Sequence, residues 1–173
     1  GGRTSRNRWC ATAGGGGEVG SYWFATVDVR GDVAAFFPAA SGFTASSNPT
    51  RLFVTLQRTG GSTAAPAAAL LGALQVTGVA GVPADTDAVA LNMTVVNAQT
   101  AGFATVHPCG QPRPEASNLN YAAGQTIPNL VIAKPGDGGK VCIYSSADID
   151  VLGDVSGFFP AGSGFTPISN PTR

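Results

Sequence analysis

Charge is scarce in this chain. Only 12% of its 173 residues are Asp, Glu, Lys or Arg, about half the usual share. Ten basic side chains cancel ten acidic ones, so neither nucleic acid nor an anionic membrane surface finds a charged partner here. Lysine occurs only as Lys134 and Lys140, and the other eight basic residues are arginine. Such a neutral surface of Ser, Thr, Asn, Gln, Gly and Ala lacks the repulsion that keeps proteins apart, which suits an extracellular or assembled protein. A single histidine excludes multi-histidine metal sites. No stretch of 18 apolar residues is present, so no helix is expected to span a bilayer. No signal peptide is visible, as in a processed or internal fragment. In abundance instead are 24 glycines and 12 prolines. That is too much turn chemistry for a helix bundle, and it lacks the three-residue period of collagen.

An internal repeat organises the chain. Asp28-Val-Arg-Gly-Asp-Val-Ala-Ala-Phe-Phe-Pro38 returns as Asp150-Val-Leu-Gly-Asp-Val-Ser-Gly-Phe-Phe-Pro160, an offset of 122. At the same offset Ser41-Gly-Phe-Thr44 returns as Ser163-Gly-Phe-Thr166, and Ser47-Asn-Pro-Thr-Arg51 as Ser169-Asn-Pro-Thr-Arg173. Between residues 27–51 and 149–173, 18 of 25 positions are identical. The first 26 residues align more faintly, through Thr4, Asn7, Gly14, Gly16, Gly17, Val19 and Tyr22. A period of 122 exceeds the roughly 20–45 residues of solenoid repeats, so each unit is expected to be a domain. The chain divides into residues 1–51, the C-terminal part of a preceding β unit with its connector, and residues 52–173, a complete unit with a C-terminal connector. It reads as a window on a tandem array.

The local signals are those of β-structure. Ala88–Val96 alternates, and with Phe103–His107 it predicts a hairpin across the turn-like residues 97–102. Further strands are expected at Leu52–Leu56, Leu74–Thr77, Leu119–Tyr121, Asn129–Ala133, Val141–Tyr144 and Ile149–Leu152. The stretch Ala64–Ala73 is compatible with a helical turn limited by Pro66 and Gly72. Short strands punctuated by turns every 8–12 residues or so predict an all-β fold, an antiparallel β-sandwich of jelly-roll or Ig-like type in tandem units.

Asn48-Pro-Thr-Arg-Leu52, Gly78-Val-Ala-Gly-Val-Pro-Ala84, Val106-His-Pro-Cys109, Ser117-Asn-Leu-Asn-Tyr121, Gly124-Gln-Thr126 and Val141-Cys-Ile-Tyr144 occur here in a fixed order. In these motifs the sequence resembles a β-rich tandem-repeat module of secreted and surface proteins from high-GC Gram-positive bacteria. The resemblance covers residues 48–160 well and 1–26 weakly. It departs at Leu52-Phe-Val-Thr-Leu56, where an acidic residue of the module's pattern is missing. The resemblance implies secretion and array architecture, pairs Cys109 with Cys142 in a disulfide, and implies no catalytic residue. Cys10 aligns with Ile132 and has no equivalent in the second unit. It is expected to be a buried thiol or to pair with a preceding unit.

Candidate chemistry is thin. Cys109 as a nucleophile beside His107 lacks an orienting acid, and Pro108-Cys109-Gly110 is turn chemistry. Asp148, Asp150 and Asp154 share parity along a strand and form a weak Ca²⁺ candidate. Asp28 and Asp32 repeat only two of them, and a solvated strand face is the plainer expectation. Pro135–Lys140 and Gly14–Gly17 lack the glycine–lysine–Ser/Thr ending of a phosphate loop and read as hairpin turns. The sequon Asn92-Met-Thr94 falls inside a predicted strand. Asn118, Asn120 and Asn129 are expected to bond local backbone in bends. Trp9, Tyr22 and Trp23 offer a possible carbohydrate platform, with core and edge packing as the plainer expectation. One phenylalanine of each Phe-Phe-Pro is expected to face inward and the other outward. Phe37, Phe43, Phe159 and Phe165 are therefore the candidates for contact between units.

These readings predict a non-enzymatic extracellular structural protein, a subunit of a surface appendage, stalk or filament. Its partner is itself, through tandem neighbours or head-to-tail subunits, and no cofactor, metal or nucleic acid is expected. The alternative is a cell-wall or carbohydrate-binding accessory module of a secreted hydrolase.

Overall fold

The computed structural model describes residues 36–38, 40–54 and 69–168. Within them eight strands follow one another: β1 (Thr44–Val54), β2 (Ala69–Gln75), β3 (Ala88–Val96), β4 (Gly102–Pro108), β5 (Leu119–Tyr121), β6 (Ile127–Ala133), β7 (Lys140–Ser145) and β8 (Asp150–Phe159). They form two four-stranded antiparallel sheets, ordered β1-β8-β3-β6 and β2-β7-β4-β5. The two sheets share one apolar core, so the described part of the chain is all-β.

The alternation in residues 88–96 produces β3 with those bounds. Val89, Leu91, Met93 and Val95 are each 0–1% exposed in the core, while Asn92, Thr94 and Val96 face the other way. Burying one such side chain contributes about 1.5–3 kcal/mol. From the second sheet Val106, Val141 and Ile143 meet them, with Val131, Val151 and Val155 beside them in the first.

Two expectations are corrected. Strands β3 and β4 are not a hairpin: β3 pairs with β6 and β8, and β4 with β5 and β7. The loop between them crosses from one sheet to the other. It is anchored by Gln99 donating its N–H to Asp148 O (3.2 Å) and by Gly124 N–H on Ala98 O (2.7 Å). A period-2 pattern specifies which side of a strand is apolar and not which neighbour it takes. The helical turn over residues 64–73 gives way to β2 from Ala69 onward; residues 64–68 lie outside the described part. A strand partner, β7, decides that apolar run.

The division expected at residue 51 falls within a strand. Strand β1 runs across it, with Thr44 opposite Phe158 and Arg51 opposite Asp154. Thr44–Arg51 therefore belong to the same sheet as β8. The sequence reads there as a connector because it contains Asn48-Pro49. The register shifts between Ala45 and Thr50, and β1 is an edge strand, where a missing N–H costs no ladder bond. Pro128 sits on the other edge strand, β6, for the same reason.

Candidate functional site

The end of the sandwich where β1 begins and β8 finishes carries a second apolar cluster. A shift in register between Ala90 and Leu91 leaves Ser156 without a partner and exchanges the faces of β8. Phe158 consequently packs on the central core, whereas Phe159, only 1% exposed, stands apart from it on the outer face of the sheet. Around Phe159 gather Phe165 (ring centroids 4.1 Å), Phe43 (5.1 Å) and Phe37 (5.6 Å). Phe37 also stacks on Phe43 at 4.4 Å. The ring of Phe43 lies over Gly157, which has no side chain to hold it off. All four residues expected at a contact between units thus meet in one cluster.

Two connectors deliver these rings, and they have the same local structure. In the incoming one Ser41 N–H bonds Pro38 O (2.9 Å), and Phe43 N–H bonds Ser41 Oγ (3.3 Å). In the outgoing one Ser163 N–H bonds Pro160 O (3.1 Å), and Phe165 N–H bonds Ser163 Oγ (3.3 Å). Gly42 and Gly164 both take a positive φ, +72° and +82°, which glycine adopts without the cost a side chain imposes.

On the outer face of the second sheet, Cys109 and Cys142 are joined by a disulfide across a separation of 33 residues. This oxidation removes Cys109 as a nucleophile. The turn at Asp137–Gly139 closes over the bridge, with Asp137 N–H on Cys109 O (2.9 Å) and Gly136 N–H on Lys140 O (2.8 Å). A Cβ on Gly136 would run into the backbone of Cys109. The glycine-rich stretch is therefore a turn packed on the disulfide.

The loop after Cys109 folds back over this face. The Arg113 guanidinium sits 4.1 Å above the Tyr144 ring, and Thr105 Oγ1 donates to Ala116 O (2.6 Å). Asn118 Oδ1 accepts from Val106 N–H (2.7 Å), and Asn129 Nδ2 donates to Asn118 O (2.6 Å). These asparagines were expected to bond within their own bends; they instead tie segments 11 and 12 residues apart. Asn120 is exposed. Phe103, Arg113, Glu115, Ala116, Ser117 and Asn120 line a depression of about 270 Å³.

His107 is buried under the same loop, 7% exposed, with Nδ1 3.1 Å from Pro108 O. Burial holds its pKa below the ordinary imidazole value of 6.5; the Pro108 carbonyl opposes this and the positive charge of Arg113 adds to it. A histidine depressed in the folded state contributes stability that is present above 6.5 and lost as pH falls through the folded value. Denaturation midpoints are expected to decline below about pH 6.5, and His107→Asn to flatten that limb. An imidazole titration by NMR giving a pKa above 6.5 would contradict this assignment.

The carboxylates offered for Ca²⁺ are committed separately. Asp154 takes a two-point ion pair from Arg51 (2.7 and 3.2 Å), and Asp150 Oδ2 accepts from Asn97 Nδ2 (2.7 Å). Asp148 is exposed and also has an interaction of its own. Among the described residues no three His, Cys, Asp or Glu converge. Asn92 of the sequon lies mid-strand in β3, its backbone laddered to β6 and β8. Trp9, Cys10, Gly14–Gly17, Tyr22, Trp23, Asp28 and Asp32 lie outside the described residues.

Sequence reasoning missed the seat of Arg113 on Tyr144 and the Arg51–Asp154 pair. The repeat of Arg51 as Arg173, and of Asp154 as Asp32, was a signal for the latter. No protein-family model, curated protein or solved structure matches the chain.

Proposed function

We propose that the protein is a non-enzymatic structural repeat protein acting outside the cell, as part of a surface appendage, stalk or filament built from tandem units of about 122 residues. The observation that carries this reading is the pair of connectors: 122 positions apart, identical in turn, in hydroxyl bonds and in stacked phenylalanines. Both outer-face clusters support packing roles over catalytic ones. A disulfide is compatible with secretion, and no helix among the described residues is long and apolar enough to cross a membrane. This assignment agrees with the resemblance to the tandem modules of Gram-positive surface proteins.

We read the unit as a jelly roll. Its orders β1-β8-β3-β6 and β2-β7-β4-β5 are what two interleaved Greek keys produce in an eight-stranded sandwich. The unit then starts at β1, so the tandem boundary lies in the connectors near Pro38 and Pro160 and not at residue 51.

A second reading, a cell-wall glycan-binding module, is favoured by one feature: the depression where Phe103 adjoins Arg113, Glu115 and Asn120. Light scattering with negative-stain electron microscopy on the purified chain separates the two. Regular multimers or fibres are the expected result. A monodisperse compact monomer that is retarded by peptidoglycan fragments in affinity electrophoresis, and released by Phe103→Ala, would replace the structural reading with the binding one.

A further inference from the structure

The incoming and outgoing connectors do not lie at opposite ends of the sandwich. Thr44 pairs with Phe158 and Ala45 with Gly157, so the chain joins β1 beside the point where it leaves β8. The connectors touch: a Cβ on Gly42 would come within 2.6 Å of the Ser163 Cβ and carbonyl oxygen. The far end of the sandwich is remote. The 11 residues of β1 span about 36 Å at roughly 3.3 Å each.

Phe37 extends the point. In the repeat it is the counterpart of Phe159, the last residue of β8, one unit earlier. Its ring meets Phe159 edge-on at 5.6 Å. One contact between the end of a unit and the end of its successor is therefore already present in this chain. Three of the four exposed large apolar side chains among the described residues flank the connectors in sequence. Phe36 (80% exposed) and Phe37 (44%) precede the incoming connector, and Ile168 (76%) follows the outgoing one. Ile132 (39%) lies in the outer-face row with Ala90, Gly157 and Ala45.

We propose that consecutive units are carried on a shared spine of connectors laid side by side, each unit turned about that spine relative to the last. Phe37, which meets Phe159 and is still 44% exposed, seats the neighbouring unit of the same polypeptide. This rests on the tandem-unit reading above and adds its geometry. Touching backbones lie about 5–10 Å apart, whereas four strands side by side are roughly 19 Å wide. Successive units on one side of the spine would collide, so a turn between them is obligatory. The array is then a thick, short screw and not a string of beads. Head-to-tail contacts of one kind, repeated by one operation that does not close, are also what propagates a filament.

The test extends the chain after Arg173 with one, two or three further copies of residues 52–173, which continues the repeat without a gap. Small-angle scattering gives the growth in maximum dimension from two added copies to three. The expected increment is about 5–10 Å, against roughly 36 Å for units joined end to end. In parallel, spin labels at Ala40→Cys and Ala161→Cys, in a Cys10→Ser background, measure the separation of the connectors. Less than about 20 Å is expected, and 36 Å or more would overturn the shared spine. Close labels with end-to-end growth would also overturn it while leaving tandem units intact. Added copies that stay protease-sensitive and show no cooperative melting would overturn the tandem reading itself. Phe37→Ser in the extended chain is expected to raise the increment, with the melting of the unextended Phe37→Ser chain measured beside it. An unchanged increment would remove Phe37 from the contact.

Discussion

Replacing Cys109 and Cys142 together by alanine is expected to lower stability by about 3–4 kcal/mol and the melting temperature by roughly 6–16 °C. The reason is chiefly in the unfolded chain. The bridge closes a loop across a separation of 33 residues, and releasing a loop of that size restores about 3.8 kcal/mol of chain entropy. That loop contains the cover of the second sheet, Arg113 over Tyr144 and the Asn118 and Asn129 bonds, together with β5 and β6. Freeing it also loosens the cap on His107. The folded state loses less, because β4 and β7 remain laddered, with His107 opposite Cys142. Thermal unfolding followed by circular dichroism, with and without reductant, measures the effect. The reduced native chain should melt with the double variant; a shift of only two or three degrees would mean the loop is held by its hydrogen bonds alone.

Phe159→Ala is expected to cost about 3–5 kcal/mol. The side chain is 1% exposed and touches three other phenylalanine rings, yet none of the central core. Its removal leaves a hole on the outer face of the first sheet, bounded by Gly157 and unable to fill from the sheet itself. The outgoing connector loses its stacking partner for Phe165, and the incoming one loses the seat of Phe37 and Phe43. Proteolysis should then cut near residues 40–43 and 161–165 before the strands open. Phe36→Ser, at a side chain 80% exposed, is the matched control and should change stability by less than about 0.5 kcal/mol. Chemical denaturation of the two variants gives both numbers. Equal effects would show that the cluster is an incidental contact of the connectors.

The candidate site was legible in part. The 122-residue offset marked Phe37, Phe43, Phe159 and Phe165 as related positions, because a repeated residue in a repeated context implies a repeated environment. It did not show that the two sets meet each other within one chain. That depends on β1 and β8 being antiparallel neighbours, a pairing of residues more than 100 positions apart. Which of Phe158 and Phe159 faces outward depends on the extra residue at Ser156, and a bulge is invisible to a period-2 count.

By itself the sequence determined the all-β class, the bounds of β3 and β5, and the repeat. Alternation, turn residues and self-similarity are local or one-dimensional properties, and each has a direct physical cause in the pleat, in backbone freedom or in duplication. Only the tertiary structure decided that β3 and β4 belong to different sheets, that Thr44–Arg51 is an edge strand, and that His107 is buried by a loop. Those outcomes depend on which distant segments share a face, and the loop-closing entropy and side-chain packing that select among pairings act on the whole chain at once.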